Sequence, residues 1–179
     1  FVCRGGVNMD TLEQLITDRT SEDVTLGTAK GFYNASDLNR VESTVARLAA
    51  LLRELPVILT AYGNELGIDW KQSRLGYDPK SLTLLTKTNW GMWDIPDAED
   101  AGRYLGNIAA LCGALRVDTK NLPFALNRLT WRGANVIEDC LRRVRETRTA
   151  LEEQEKDRLD RTAKSWHMAG ELFAGEENS

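Results

Sequence analysis

At 179 residues the chain has room for one domain with its own core, or for a small domain with a protruding element. A net charge of −4 and a pI near 5.2 exclude the broad basic surface that sequence-independent nucleic-acid binding requires. The longest apolar runs, such as "LPVIL" at Leu55 to Leu59, fall far short of the roughly 20 residues of a membrane-spanning helix.

The opening "FVCRGG" has no charged start, apolar run and cleavage site of an export signal, so the expectation is a numbering that begins inside a longer gene product. In "DTLEQLITDRTSEDVTLG", apolar Leu12, Leu15 and Ile16 share one side, and Thr20 followed three residues later by Asp23 predicts a capped helical turn. Gly27 and Gly31 interrupt the pattern. A stronger helix is predicted from Asn34, whose side chain can accept from the next turn while Asp37 faces the positive end of the helix dipole. Leu38, Val41, Val45, Leu48, Leu52 and Leu55 then fall at intervals of three and four along one face.

Pro56 lacks an amide hydrogen and is expected either to kink this helix or to open a new one through "VILTAYGNELG", with Gly67 as the stop. Between Ile68 and Trp90 the expectation is a small strand-containing insertion, with "LTLLT" at Leu82 to Thr86 as the best strand. Trp90 and Trp93 follow. They could grip a partner, but the simpler expectation is an apolar plug between that strand and a helix whose first turn holds Pro96 and is favoured by Asp94, Asp97, Glu99 and Asp100. Tyr104, Leu105, Ile108, Leu111, Cys112 and Leu115 give that helix an apolar face.

Thr130 is the predicted cap of a last, long helix running to about Phe173, with Trp131 and Trp166 at packing positions. Ile137, Leu141, Val144 and Leu151 hold its seam, which Arg148 and Glu155 interrupt before Leu159, Ala163 and Trp166 resume it. The charged run Glu152 to Arg161 is therefore expected to be a solvated stretch that projects from the body. The architecture predicted is a mainly α helical bundle of two long helices plus shorter ones, with a minor short β element. An arm of short helices over 1–33 precedes a helical domain over 34–179, whose strand-containing insertion lies near 68–90.

Chemistry is harder to find. Cys3, Cys112 and Cys140 are odd in number and widely spaced, which predicts reduced, mostly buried thiols rather than a disulfide framework or metal site. The single histidine, His167, has no neighbouring ligands or nucleophile-elbow context. No phosphate loop or dinucleotide fingerprint is present. Most of the 27 acids fall at helix starts or in solvated runs, where capping and solubility explain them; a glycosidase-type carboxylate pair is the remaining enzymatic possibility. No catalytic residue, cofactor or metal is expected.

Several stretches resemble small tail-module proteins of prophages from gut Firmicutes. They are "LITDRTSEDV", "KGFYNASDLNRVESTV", "TKTNWGMWDIPDAED", "LTWRGANVIEDCL" and the terminal "AKSWHMAGELFAGE", in the family's order and spacing. The first two motifs lie closer together here than in the family, "VILTAYGNELGIDW" looks inserted, and Gly133 stands where an acid is usual. The resemblance implies a virion component of a tail, baseplate or fibre. It would be made in the bacterial cytoplasm and would assemble or adhere rather than catalyse. Partners would be other tail proteins and further copies of the chain, a trimer being one symmetric form, without nucleic acid or a membrane span. From the residues alone two other readings remain: a soluble cytoplasmic helical adaptor acting through its last helix, and an endolysin-like carbohydrate enzyme.

Overall fold

A computed structural model describes residues 14–174, with side chains as far as Met168. Cys3 and Leu12 lie outside the described residues. The fold is mainly α: helices α1 (Ser21–Thr25), α2 (Ala35–Glu65), α3 (Ala98–Ala114) and α4 (Trp131–Ala174), with short 3-10 turns at Ala29–Gly31, Gln72–Leu75 and Pro79–Leu82. Thr20 caps α1 in a reciprocal box with Asp23, and Asn34 caps α2 in another with Asp37.

The two long helices run parallel and in constant register. Arg40 meets Glu138 near their starts and Tyr62 meets Asp160 near the end of α2, and both pairs are 98 residues apart. Shorter α3 runs the same way, from Arg103 beside Glu42 to Ala114 and Leu115 opposite Thr147 and Leu151. Parallel helices require connections that travel back along the bundle. The first does so against α2: Tyr77 reaches Leu52, Leu82 reaches Arg53, and Trp90 reaches Asn39. The second retraces the start of α4, from Asp118 at Arg143 to Pro123 and Leu129 packed against Gly133.

The main core is a seam shared by the three longer helices. Val41, Val45, Leu48 and Leu52 of α2 meet Ile108, Leu111 and Cys112 of α3 and Ile137, Leu141 and Val144 of α4, all completely or nearly completely enclosed. A second cluster joins Leu55 and Leu59 to Leu159, capped by Ile68, Trp70 and Leu75 of the connector. Burying a Leu or Ile side chain stabilises by about 1.5–3 kcal/mol, so these seams are the main source of cohesion.

Four expectations are corrected or narrowed. Among the described residues there is no strand: Leu82 ends a 3-10 turn, Thr83 to Trp90 take no regular structure, and side chains bond to carbonyls along this stretch instead. Arg53 donates to Leu82 O at 3.2 Å, Asn107 to Leu85 O at 2.7 Å and Asn39 to Trp90 O at 2.9 Å. Of the two alternatives for Pro56, a new helix does not open there: α2 continues through it to Glu65, and Gly67 adopts the left-handed conformation that ends it. Helix α3 begins at Ala98 with Asp97 as its cap, so Pro96 and Asp94 precede the helix rather than lie in its first turn. Glu152 to Arg161 is not a projecting stretch: Leu159 is fully buried, Glu155 nearly so, and Asp160 accepts from Tyr62 at 2.7 Å. With the register fixed at 98 residues, α2 ends opposite Ala163, and α4 projects only beyond that point.

Candidate interaction surface

The start of α2 is held by a buried charge cluster. Glu138 of α4 accepts from the Ile16 amide at 2.6 Å, from Arg40 Nε at 3.1 Å, and from Arg19 Nη2 and Arg40 Nη2, each at 2.7 Å. Asp37 accepts from Arg19 at 2.8 Å, from Arg40, and from the Asn34 amide at 2.9 Å. Asn135 closes the cluster by donating to Arg19 O at 2.8 Å and accepting from Arg19 N at 3.0 Å. Arg19, Asp37 and Glu138 are almost wholly enclosed. Charges so placed persist only when each is matched, and here the two carboxylates face two guanidiniums. Burial opposes the charge on Arg40, but its bonds to Glu138 and Asp37 outweigh that and raise its pKa. Together these groups fix the segment from Ile16 to Thr20 onto α2 and α4.

The first connector is fixed to the same end. Asn39 brackets Trp90, donating to its carbonyl at 2.9 Å and accepting from its amide at 2.7 Å, while the Lys87 ammonium lies 3.7 Å from the centre of the indole ring. Tyr33 and Tyr104 share a hydroxyl–hydroxyl bond, and burial pushes both phenols up. Glu42, buried against Arg103 at 2.6 Å, is likewise pushed up by burial, with Arg103 opposing.

Four of the motif stretches singled out in the sequence therefore meet here: Arg19 from the first, Asp37 to Arg40 from the second, Trp90 from the third, and Asn135 with Glu138 from the fourth. Periodicity could not show this, because the partners from different stretches are 18 to 122 residues apart.

Around this joint lies a groove of about 580 Å³. Phe32 and Tyr33, Met92 and Ile95, and Leu126 and Leu129 line it. Its rim is mixed: Phe32, Met92 and Ile95 are mostly exposed and stand beside Asn34, Asp94, Asn127 and Arg128. Trp93 is 85% exposed and Phe124, in the neighbouring loop, 100%. Several large apolar side chains exposed together are a common mark of a contact surface.

The residues expected at the site fall into distinct roles. Trp90, 5% exposed, is the plug; Trp93 is not, because the turn from Gly91 to Asp94 carries it outward. Asp94 closes that turn, accepting from Gly91 N at 2.9 Å, and this bond with the nearby Lys87 keeps its carboxyl below the usual range. Pro96 lines the groove. Thr130 caps α4, accepting from Gly133 N at 3.1 Å. Trp131 is half-buried under the Arg132 guanidinium, 4.9 Å from its ring centre. Trp166 is 58% exposed instead of packed, since it lies beyond the end of α2. A Cβ at Gly133 would come within 2.9 Å of Leu129 and 3.0 Å of Pro123, so the absent side chain lets the groove-bearing loop lie close to α4.

Two features were not read from the sequence. Trp70 is buried and donates to Glu155 at 2.9 Å, and Cys112 and Cys140 face each other across α3 and α4. The partners of the first lie 85 residues apart, so no local signal pairs them.

Among the described residues no group of three or more His, Cys, Asp or Glu side chains could hold a metal ion, and no helix is long and apolar enough to cross a membrane. Compared with known proteins, the chain matches no family model, and no curated protein or solved structure is significantly similar to it.

Proposed function

We propose that this chain is a non-catalytic structural component of a phage tail, baseplate or fibre, where it works by making contacts with other tail proteins and further copies of itself. The observation that carries this reading is the set of exposed apolar side chains, Phe32, Met92, Trp93, Ile95 and Phe124, at the end of the bundle where the motif residues converge. A rigid joint beneath exposed aromatic and aliphatic side chains suits a protein whose work is association. The resemblance of those same stretches to prophage tail-module proteins supplies the context. The virion is then its location after synthesis in the bacterial cytoplasm, and a closed homo-oligomer such as a trimer is its expected form.

Peptide mass spectrometry on gradient-purified particles induced from the source strain tests this. Peptides across Val136 to Arg161 should be recovered in fixed proportion to other tail proteins. Their absence from particles and presence in the lysate would overturn the assignment.

That second outcome would favour a cytoplasmic adaptor acting through its last helix. The observation behind the alternative is the projecting end of α4, where Trp166 and Met168 are exposed beyond the last residue of α2.

A further inference from the structure

Helices α3 and α4 meet at two cysteines. Cys112 and Cys140 are both completely enclosed, belong to the same apolar cluster, and are joined thiol to thiol by a hydrogen bond. Arg143, one turn further along α4, places Nη2 3.7 Å from Cys140 Sγ while donating to Asp118 O at 2.7 Å. Its side chain is 36% exposed, so one guanidinium separates this sulfur from water.

The pair is asymmetric. The Cys112 thiol donating to it, with Arg143 beside it, lowers Cys140 to about 7 against its burial and the Asp139 carboxylate. Donating to Cys140, together with burial, pushes Cys112 up. Cys140 is therefore the more acidic sulfur of the pair and Cys112 the one that keeps its proton, the order of an attacking and a resolving sulfur.

We propose that Cys112 and Cys140 are a redox pair that hydrogen peroxide closes into a disulfide joining α3 to α4. The Cys140 thiolate attacks one peroxide oxygen; the O–O bond breaks, and the departing hydroxide takes the Cys112 proton to become water. Cys112 sulfur then attacks the sulfenic sulfur of Cys140, the S–O bond breaks, and the second hydroxide takes up the proton that Cys140 had released. Two thiols lose two electrons, and one peroxide becomes two waters. Enclosure selects the oxidant: a molecule little larger than water reaches the sulfur past Arg143, whereas a bulky disulfide such as oxidised glutathione does not. The new bond also closes the chain from 112 to 140 on itself, and this stretch carries Phe124 and the Leu126 to Leu129 wall of the groove. The inference stands apart from the tail assignment, because it depends only on the two helices.

The test uses the full chain with Cys3→Ser, treated with hydrogen peroxide or with oxidised glutathione, then alkylated while unfolded and mapped by mass spectrometry. The expected result is a peptide pair linking Cys112 to Cys140, released by dithiothreitol and formed faster by peroxide, with a higher thermal midpoint for the linked protein. Cys112→Ala should divert Cys140 to sulfenic and sulfinic acid without a link. Two alkylatable thiols after peroxide, or Cys140 over-oxidised with Cys112 still free in the parent chain, would overturn the proposal. Faster linkage by oxidised glutathione would overturn the enclosed route.

Discussion

The Tyr77 hydroxyl donates to the carbonyl oxygen of Leu52 at 2.9 Å. In an uninterrupted helix that oxygen would accept from the amide four residues on, which is Pro56 and has no hydrogen. A connector residue thus supplies the donor that the helix lacks, and α2 runs through its proline without a free carbonyl. Burial, with the Arg148 charge opposing, pushes the Tyr77 phenol up to about 12, so the donor keeps its proton throughout the neutral range.

A double-mutant cycle checks this. Tyr77→Phe should cost about 0.5–1.5 kcal/mol in urea unfolding, the usual net value of a hydrogen bond, with more where the carbonyl stays dry. In a Pro56→Ala background the restored amide fills the same acceptor, so Tyr77→Phe should cost markedly less. Equal costs in both backgrounds would mean that the hydroxyl does not replace the missing amide.

Glu155 is a charged residue in an apolar seam, and its partner accounts for it. Trp70 Nε1 donates to it at 2.9 Å and Arg158 at 2.7 Å, while Arg74 lies 3.4 Å away. Burial alone would raise its pKa, but the bonds from Arg158 and Trp70 and the charges of Arg158 and Arg74 outweigh it and hold the carboxyl below the usual range for a glutamate. A carboxylate depressed on folding contributes stability above the unfolded value, and that contribution is lost as pH falls through the folded one. Glu155→Gln should therefore destabilise at neutral pH by roughly 1–3 kcal/mol, and the gap from the parent should shrink below about pH 4. Urea midpoints at the two pH values decide it; a gap that is constant with pH would show that Glu155 acts through shape alone.

The helices, their caps and their apolar faces were legible because those signals are local. Asn34 with Asp37 and Thr20 with Asp23 lie within one turn, and Val41 to Leu52 repeat every three or four residues. What escaped depends on partners far along the chain. Nothing near Pro56 announces Tyr77, and nothing near Glu155 announces Trp70, 85 residues earlier. The segment Leu82 to Thr86 has strand-like composition, but a strand also requires a second strand, and α2 occupies that position. The parallel register decided the last misreading: the charged run to Arg161 packs because α2 reaches it, whereas Trp166 lies past the end of α2. Of the candidate surface, the sequence showed the aromatic residues but not which of them faces outward.

Glu138 carries more of the fold's topology than any other acid. It joins α4 to Arg40 of α2 and to Arg19 and Ile16 ahead of α1. Glu138→Ala leaves two enclosed guanidiniums short of an acceptor, and breaking one side of a buried ion pair costs about 3–5 kcal/mol. Hydrogen exchange should show the amides of Ile16 and Arg19 losing protection before those of α2. Retained protection at both amides would mean that apolar contacts, not Glu138, hold this segment down.

Trp90 and Trp93 make the sharpest comparison, because the same residue type three positions apart faces opposite environments. Trp90 packs in the main core and is bracketed by Asn39, so Trp90→Ala should cost about 3–5 kcal/mol. Trp93 is 85% exposed, so Trp93→Ala should shift stability by no more than about 0.5 kcal/mol. If the exposed rim is a contact surface, the Trp93 variant should fold like the parent and still lose association, read as a smaller mass by light scattering or as failure to enter particles. A variant that assembles normally would remove Trp93 from the contact surface, and one that unfolds would return it to the core.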